Sequence, residues 1–179
     1  MNALPVTVGG REWRSSEAVY QACRFPDHPE MQEEIRSKAS PMTAKMVAKK
    51  YRKAHTRPDW ETVQLPVMEF VLRLKMVNWD NWRKIYWKLR ETAEQNLSIV
   101  EISAKKDQYW GTKPLPTKKK PTMLEGENHL GLLWMKIRDE IMGAVEKDVK
   151  KLWENHYCTV PHPGIENLRF FGEDYRPGY

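Results

Sequence analysis

The sequence has little cysteine and no long apolar run. Cys23 and Cys158 are the only thiols among 179 residues, and they lie far apart. Sparse cysteine is typical of proteins in reducing compartments, so we expect a cytoplasmic location. No stretch of about 18 consecutive apolar residues is present, so we expect no membrane-spanning helix. The opening residues, MNALPVTVGG, have neither a basic nor an apolar leader segment, so we expect no signal peptide.

Metal-binding patterns are also missing. The five histidines do not occur in HExxH or a similar ligand spacing, so we expect no metal ion. The charge balance says more, because 30 lysines and arginines exceed 24 acidic residues and give a formal charge of +6. That excess favours anionic partners such as phosphates or nucleic acid, without choosing between them. Its simplest interpretation is a set of solvated lysine-rich faces and loops.

Local patterns predict an α+β domain that is mostly helical and has a small β-sheet. VTVGGREW is typical of a hairpin whose turn is Gly9–Gly10. Ser15 or Ser16 is the expected cap of the next helix, and Ser40 followed by Pro41 begins another. Further helices are predicted over 29–38, over 60–76, over 78–95 and from 128, the last with a pattern that can continue unbroken to about 155.

The segment DQYWG, at 107–111, follows a predicted strand, LSIVEIS, at 97–103. A surface loop rarely contains Tyr-Trp, and a core segment rarely contains Asp and Gly. The mixture favours a pocket wall in which an aromatic face and an acid point towards a ligand. A long loop rich in proline and lysine, TKPLPTKKKPTMLEGE, comes next, and loops of this length are often functional.

Four segments combine polar groups with glycine or aromatic residues: SSEAVYQACRF (15–25), SP (40–41), DQYWG (107–111) and GENHLG (126–131). In their order and spacing they resemble the NADAR superfamily of YbiA-like proteins. The resemblance covers about residues 5–142, at Ser15, Glu17, Tyr20, Gln21, Ala22, Phe25, Ser40, Pro41, Ala44, Asp59, Trp60, Lys75, Asp107, Trp110, Gly111, Gly126, Asn128, Leu130, Gly131, Leu133, Met135, Ile137 and Arg138. It implies a domain of that α+β fold over 1–145, followed by an irregular aromatic extension over 146–179.

Three positions depart from the usual family pattern. Ala18 stands where a histidine is common, Arg24 where a lysine is usual, and Glu127 where a basic residue is frequent. The chain also begins close to the hairpin, where family members usually carry a further segment, so we expect part of one pocket wall to differ. These departures concern the identity of the substrate more than the fold.

The resemblance implies cleavage of an N-glycosidic bond in a ribosylated, phosphate-bearing substrate, with no metal and no redox cofactor. Family members act on ribosylamino-pyrimidine phosphate intermediates of riboflavin synthesis, or remove ADP-ribose from guanine in nucleic acid. Such cleavage passes through an oxocarbenium-like transition state, for which the carboxylates of Glu17 and Asp107 are the expected catalytic groups. The expected substrate-binding residues are Trp110, Asn128, Tyr20, Gln21, Arg24, Gly111 and Lys75.

In this interpretation Trp110 stacks on the base, and Asn128 hydrogen-bonds a ribose hydroxyl or a base edge. The start of the following helix holds a phosphate, and Arg24 or Lys75 holds another phosphate oxygen. Each residue type also has a structural interpretation: a favourable charge in a first helical turn for Glu17, packing for Tyr20, Gln21, Trp110 and Gly111, and caps of turns or helices for Asp107, Asn128 and Asp59.

Two other functions stay open at this point. A non-catalytic module that binds ADP-ribose or another NAD-derived nucleotide would fit the departures at positions 18, 24 and 127. A basic scaffold would bind nucleic acid through Lys118, Lys119 and Lys120, with an affinity that falls steeply as salt rises.

Overall fold

The computed structural model describes residues 4–103, 108–114 and 124–178. These residues form helices and three antiparallel strand pairs, which confirms the predicted α+β class. The helices are α1 (Ser16–Ala22), α2 (Pro29–Arg36), α3 (Pro41–His55), α4 (Trp60–Val77), α5 (Trp79–Glu94), α6 (His129–Gly143) and α7 (Val149–His156). The strands are β1 (Val6–Val8), β2 (Arg11–Trp13), β3 (Lys113–Pro114), β4 (Leu124–Glu125), β5 (Arg169–Phe170) and β6 (Glu173–Asp174). Within these described ranges, no helix combines the length and apolar character needed to cross a membrane.

Two compact units divide the chain. Unit 1 comprises Met1–Trp82 and Asp148–Tyr179, and unit 2 comprises Arg83–Lys147. Unit 1 is therefore built from two separate stretches of sequence. The domain boundary predicted at residue 145 stays a prediction.

Unit 1 begins with the predicted hairpin, which is confirmed. Strands β1 and β2 pair in antiparallel register with Val6 opposite Trp13. Gly9 and Gly10 form the turn at φ angles of +60° and +65°, a left-handed conformation that glycine adopts without steric cost. Val6, Val8 and Trp13 are buried and thereby join the hairpin to the core of the unit.

The predicted helix starts of unit 1 are also confirmed. Ser15 caps α1, since its Oγ accepts the Ala18 N–H at 3.2 Å. Ser40 caps α3 in a reciprocal capping box with Thr43, and Pro41 occupies the first helical position, where its missing N–H is harmless. Helix α4 continues through Pro66, so this proline neither begins nor ends the helix.

Asp59 stands at the predicted cap position of α4, but the mechanism inferred for it is wrong. Its side chain makes no capping hydrogen bond to the described start of the helix. Instead both carboxylate oxygens accept from Arg57, at 2.6 and 2.9 Å. The Arg57 side chain is only 4% exposed, and a buried guanidinium requires a nearby counter-charge more than a helix end requires a cap.

The last predicted helix does not continue unbroken to residue 155. Helix α6 ends at Gly143, and Ala144 is extended, with φ −63° and ψ 141°. Helix α7 begins anew behind Asp148, whose carboxylate accepts the N–H groups of Lys150 and Lys151. A strong N-cap at Asp148 competes with helix continuation, because the cap residue itself must be non-helical.

The residues after α7 fold back on the rest of unit 1 through buried polar contacts. Gln32, whose side chain is fully buried, donates from Nε2 to the Arg169 carbonyl at 2.9 Å. Its Oε1 accepts the Phe171 N–H at 2.6 Å. Arg57 donates to the Asn167 carbonyl, and the Tyr175 ring lies 4.9 Å from that of Phe70. This stretch is therefore part of the unit 1 core.

In unit 2, the predicted strand at 97–103 is wrong. The segment makes a single isolated bridge among the described residues, between Ile102 and Thr112. Leu97 and Ile102 are 48% and 57% exposed, so the apolar pattern that predicted a buried strand does not correspond to burial. The backbone of the segment bonds instead to the Asn128 side chain, described below, and to the backbone of Thr112.

Replacing Gln32 by Ala should lower the free energy of unfolding by roughly 1–3 kcal/mol, because the half-buried Arg169 carbonyl and Phe171 N–H would lose their hydrogen-bond partner. Urea denaturation measures this change. The exposed Gln95 provides the matched control, and its replacement by Ala should change stability little. Equal effects at the two positions would contradict a special role for Gln32.

Candidate functional site

Glu17 lies in the first turn of α1 and is half-buried. One turn later on the same helix, the buried Gln21 donates from Nε2 to Glu17 Oε1 at 2.8 Å. The spacing of four residues places the two side chains on one helix face, which makes this contact possible. One carboxylate oxygen of Glu17 is therefore held by the amide of Gln21.

The orientation of that amide is set by α3. Arg52 donates from Nη2 to Gln21 Oε1 at 3.0 Å. Because a guanidinium can only donate, the amide oxygen of Gln21 must face Arg52 and its NH2 group must face Glu17. The Arg52 guanidinium therefore orients the Gln21 amide, and this amide orients the Glu17 carboxylate. We call these two consecutive hydrogen bonds the relay.

The pKa of the Glu17 carboxyl lies above its ordinary value of 4.5, chiefly because burial disfavours the charged form. The Gln21 hydrogen bond and the positive charges of Lys45, Arg52 and Lys75 act in the opposite direction. Lys75, expected from the sequence, is thereby placed within electrostatic range of Glu17. A carboxyl whose pKa is raised by burial and balanced by specific cations is typical of functional sites.

Tyr20 and Arg24 lie beside an indole that the sequence interpretation did not assign to the site. The Arg24 guanidinium carbon is 4.0 Å from the centre of the Trp60 ring and 5.8 Å from that of Tyr20. The Tyr20 and Trp60 rings meet edge to face at 5.3 Å. The sequence marks Trp60 only as one of two adjacent residues, Asp59 and Trp60, that match the family pattern. No local pattern distinguishes Arg52 from the other cations of its lysine-rich segment.

In unit 2, Asn128 does not cap α6 with its side chain. It occupies the N-cap position in a left-handed conformation, with φ +55°, and its amide points to the segment before it. Oδ1 accepts the Glu101 N–H at 3.0 Å, and Nδ2 donates to the Ile99 carbonyl at 2.9 Å. Asn128 therefore holds this segment in place of a neighbouring strand, while its predicted ribose contact stays a prediction.

The start of α6 is less open to a phosphate than the sequence suggested. The His129 N–H donates to the Tyr109 carbonyl, and the Leu130 N–H donates to the Trp110 carbonyl, each at 3.1 Å. Two of the first helical N–H groups are therefore already bonded. Trp110 itself is half-buried, with its ring edge to face with Tyr109 at 4.9 Å.

Gly111 and Gly131 allow close backbone approach, and for Gly111 this agrees with the packing role expected from the sequence. A Cβ atom at Gly111 would stand 2.7 Å from the Glu101 carbonyl oxygen. One at Gly131 would stand 2.3 Å from the Ile99 carbonyl oxygen. Both distances are too short for carbon, so these positions accept only glycine unless the segment at 99–101 shifts.

The predicted site residues fall into two groups. Glu17, Tyr20, Gln21, Arg24 and Lys75 belong to unit 1, whereas Trp110, Gly111 and Asn128 belong to unit 2. The second predicted carboxylate, Asp107, and the three lysines at 118–120 lie outside the described residues. In the described part of the chain, no group of three His, Cys, Asp or Glu side chains is close enough to hold a metal ion.

Comparison with known proteins shows similarity over most of the chain. The family model described as the NADAR domain matches residues 2–142. The N-glycosidase YbiA of Escherichia coli (strain K12) is 34% identical over 145 residues, which are 81% of this chain and 79% of that protein. A riboflavin biosynthesis protein of Vibrio vulnificus is 29% identical over 142 residues, or 76% of this chain and 33% of that protein. The NMR structure of the E. coli protein YbiA matches with a TM-score of 0.61 at 30% identity, over 82% of this chain and 80% of that one.

Replacing Gly131 by Ala should lower the free energy of unfolding by about 2 kcal/mol or more, because the new methyl group overlaps the Ile99 carbonyl. Gly143, on the same helix, serves as the control, because a Cβ atom there would have no described atom within 4 Å. Its replacement by Ala should leave stability unchanged or raise it by up to about 1 kcal/mol. Chemical denaturation of both variants measures the difference, and equal responses would contradict the close approach.

Replacing Glu17 by Gln should raise the thermal unfolding temperature at neutral pH. Because the folded-state pKa of Glu17 is raised, folding favours the protonated carboxyl, and stability is lost as the pH rises from about 4.5 through that pKa. The increase in unfolding temperature that the uncharged amide gives should therefore vanish at pH values below the ordinary glutamate pKa.

Substitution of Glu33 should change stability in the opposite direction, because the hydrogen bonds that Arg36 donates to its carboxylate lower its pKa. Glu33→Gln should be less stable than the native chain at neutral pH, and the loss should disappear in acid. Thermal scans of both variants across the pH range would test the assignment, and a destabilised Glu17→Gln at neutral pH would contradict it.

Proposed function

The chain belongs to the NADAR domain family, and we propose that it is an N-glycosidase that hydrolyses a ribosylated, phosphate-bearing substrate. The observation that carries this proposal is the half-buried Glu17 carboxyl, whose pKa is raised by burial and whose orientation is fixed by Gln21 and Arg52. An ordinary charge at a helix start needs neither a buried amide partner nor a guanidinium behind it.

Two substrate classes fit the proposal. One is ADP-ribosyl-guanine in nucleic acid, and the other is the ribosylamino-pyrimidine phosphates of riboflavin synthesis. The formal charge of +6 suits the phosphates of either class. The name of the Vibrio vulnificus relative supports the second class, as does the name of a riboflavin biosynthesis protein of Zea mays that is 28% identical over 141 residues.

In the proposed reaction the bond between the ribose C1′ and the base nitrogen breaks, and its electron pair leaves with the base. Water adds to C1′ of the oxocarbenium-like sugar, and one water proton must finally reach the base. The ionised Glu17 accepts that proton from the attacking water, for which a raised pKa makes it the stronger base. The carboxylate also stabilises the positive charge that develops on the sugar ring.

The other predicted residues keep the roles that the family resemblance implies. Asp107 is the proposed second carboxylate, which would assist departure of the base, and Trp110 would stack against that base. Tyr20 is a neutral hydroxyl at working pH, because burial raises its pKa, and it lines the same part of unit 1 as Arg24. Lys75 adds positive charge near Glu17, where a phosphate-bearing substrate would enter.

A mass-spectrometric hydrolysis assay tests the function. The native chain and Glu17→Gln are offered an oligonucleotide carrying ADP-ribosyl-guanine and, in parallel, ribosylamino-pyrimidine phosphates. We expect release of the free base or of ADP-ribose by the native chain, reduced about 100-fold or more in Glu17→Gln. The exposed Glu12 is the control, and Glu12→Gln should keep full activity. A folded native chain that cleaves neither substrate but binds ADP-ribose would contradict the proposal and favour a binding module.

Replacing Gln21 by Met tests the relay separately. Without the amide hydrogen bond the pKa of Glu17 should rise further, because that bond favours the ionised carboxylate. The acidic limb of the pH–rate profile should therefore move to higher pH. A lower rate with an unmoved limb would show that Gln21 acts through packing alone.

A further inference from the structure

Arg24 and Arg52 differ from the other arginines that are removed from solvent. In the described part of the chain, neither forms an ion pair with a carboxylate, and Arg52 donates to the neutral oxygen of Gln21. Every other buried or half-buried arginine meets a carboxylate oxygen at 2.6–2.9 Å, namely Arg36, Arg57, Arg73, Arg90, Arg138 and Arg169. We call Arg24 and Arg52 the arginine pair.

The members of the arginine pair lie within electrostatic range of each other. Burial lowers the pKa of Arg24, and the like charge of Arg52 lowers it further. Both Nε atoms are buried and have no hydrogen-bond partner among the described residues. Placing two guanidinium groups near each other without a carboxylate in contact is unfavourable, because each loses its hydration and repels the other.

Two further donors in the same part of unit 1 also have no partner within the described ranges. The Thr56 hydroxyl belongs to the C-terminal cap of α3, one turn after Arg52, and the Trp60 indole N–H belongs to the ring on which Arg24 stacks. Buried polar groups are normally hydrogen-bonded, so these donors require an acceptor other than the described residues, either ordered water or a bound anion. Stacking on Trp60 accounts for the position of Arg24 but not for that of Arg52.

We propose that the arginine pair is a phosphate-binding subsite beside Glu17. A phosphate offers several acceptor oxygens and a charge that neutralises both guanidinium groups, and it matches their forked donor geometry. The proposal rests on the function above and deepens it, since the subsite would hold a phosphate of the substrate while Glu17 acts at the sugar. Arg52 would contribute both to the phosphate subsite and to the orientation of Glu17, because it also fixes the Gln21 amide.

The subsite is tested by ligand-dependent thermal unfolding and by calorimetric titration. The probes are inorganic phosphate, ribose 5-phosphate and ADP-ribose, each compared with chloride at equal ionic strength. The variants are Arg24→Gln and Arg52→Gln, with Arg73→Gln as the control, because Arg73 is half-buried but paired with Glu69. We expect phosphate to raise the unfolding temperature of the native chain and the control, and ribose 5-phosphate affinity to fall about ten-fold or more in the other two variants.

A second measurement separates a binding role from a structural one. Without any phosphate, Arg24→Met should unfold at the native temperature or above it, because the substitution removes a charge that burial disfavours and that no carboxylate contacts. Methionine retains favourable contact with the Trp60 ring at position 24. Arg73→Met should instead be destabilised, because its ion pair with Glu69 is lost.

An unchanged phosphate response in both arginine-pair variants would overturn the subsite, and so would an equal response to chloride. Arg-dependent phosphate binding by a chain that hydrolyses neither substrate would keep the subsite and remove the glycosidase function. Hydrolysis that depends on Glu17 but is unchanged by substitution of either arginine would support the glycosidase function and overturn the subsite. The relative affinities of ribose 5-phosphate and ADP-ribose distinguish a terminal phosphate from a pyrophosphate.

Discussion

The amide of Gln21 is the contact on which the candidate site depends. It stands between Arg52 and Glu17, with its oxygen towards the cation and its nitrogen towards the carboxylate. A direct ion pair between the two charges would hold the carboxyl ionised and lower its pKa strongly. The neutral amide transmits orientation but not a full charge, so Glu17 keeps the raised pKa that burial gives it. The Gln21 amide thus fixes the orientation of Glu17 and lowers its pKa by less than burial raises it.

The same use of polar side chains recurs in the rest of unit 1. Gln32 bonds the residues after α7 and also reaches the Ala22 carbonyl at the end of α1, at 3.4 Å. The Arg57 N–H donates to the Arg24 carbonyl at 2.9 Å, while its side chain reaches Glu166 and Asn167. Buried hydrogen bonds contribute less net free energy than apolar burial, but they permit only one arrangement. The backbone that carries Arg24 is therefore fixed by the C-terminal stretch.

Features with local causes could be predicted from the sequence. A two-glycine turn, a serine before a proline and an apolar periodicity each act within a few residues, which is why the hairpin and the starts of α1 and α3 were found. The strand at 97–103 and the cap role of Asn128 failed together for one reason, since the Asn128 amide bonds a segment 27 and 29 positions earlier. Asp59 failed similarly, because a nearby buried arginine competed for its carboxylate.

The residues of the candidate site also differ in whether the sequence alone could identify them. Glu17, Gln21 and Arg24 could be named because they belong to one short motif that a family resemblance identifies. Arg52 could not, because a cation among lysines becomes distinctive only when its neighbours in space are known. Whether a charge is paired is a property of the fold, and no pattern along the chain reports it.

The composition of unit 1 from residues 1–82 and 148–179 has a consequence for the order in which the protein is made. During synthesis the hairpin and the first four helices leave the ribosome long before the partners of Gln32 and Arg57 exist. Until residues 166–171 arrive, Gln32 lacks its bonds to Arg169 and Phe171, and Arg57 has Asp59 but not its C-terminal carbonyl acceptors. The part of the chain that carries Glu17 therefore becomes complete only after residues 166–171 have been synthesised. Contacts that span more than 100 residues make this final closure slow relative to helix formation.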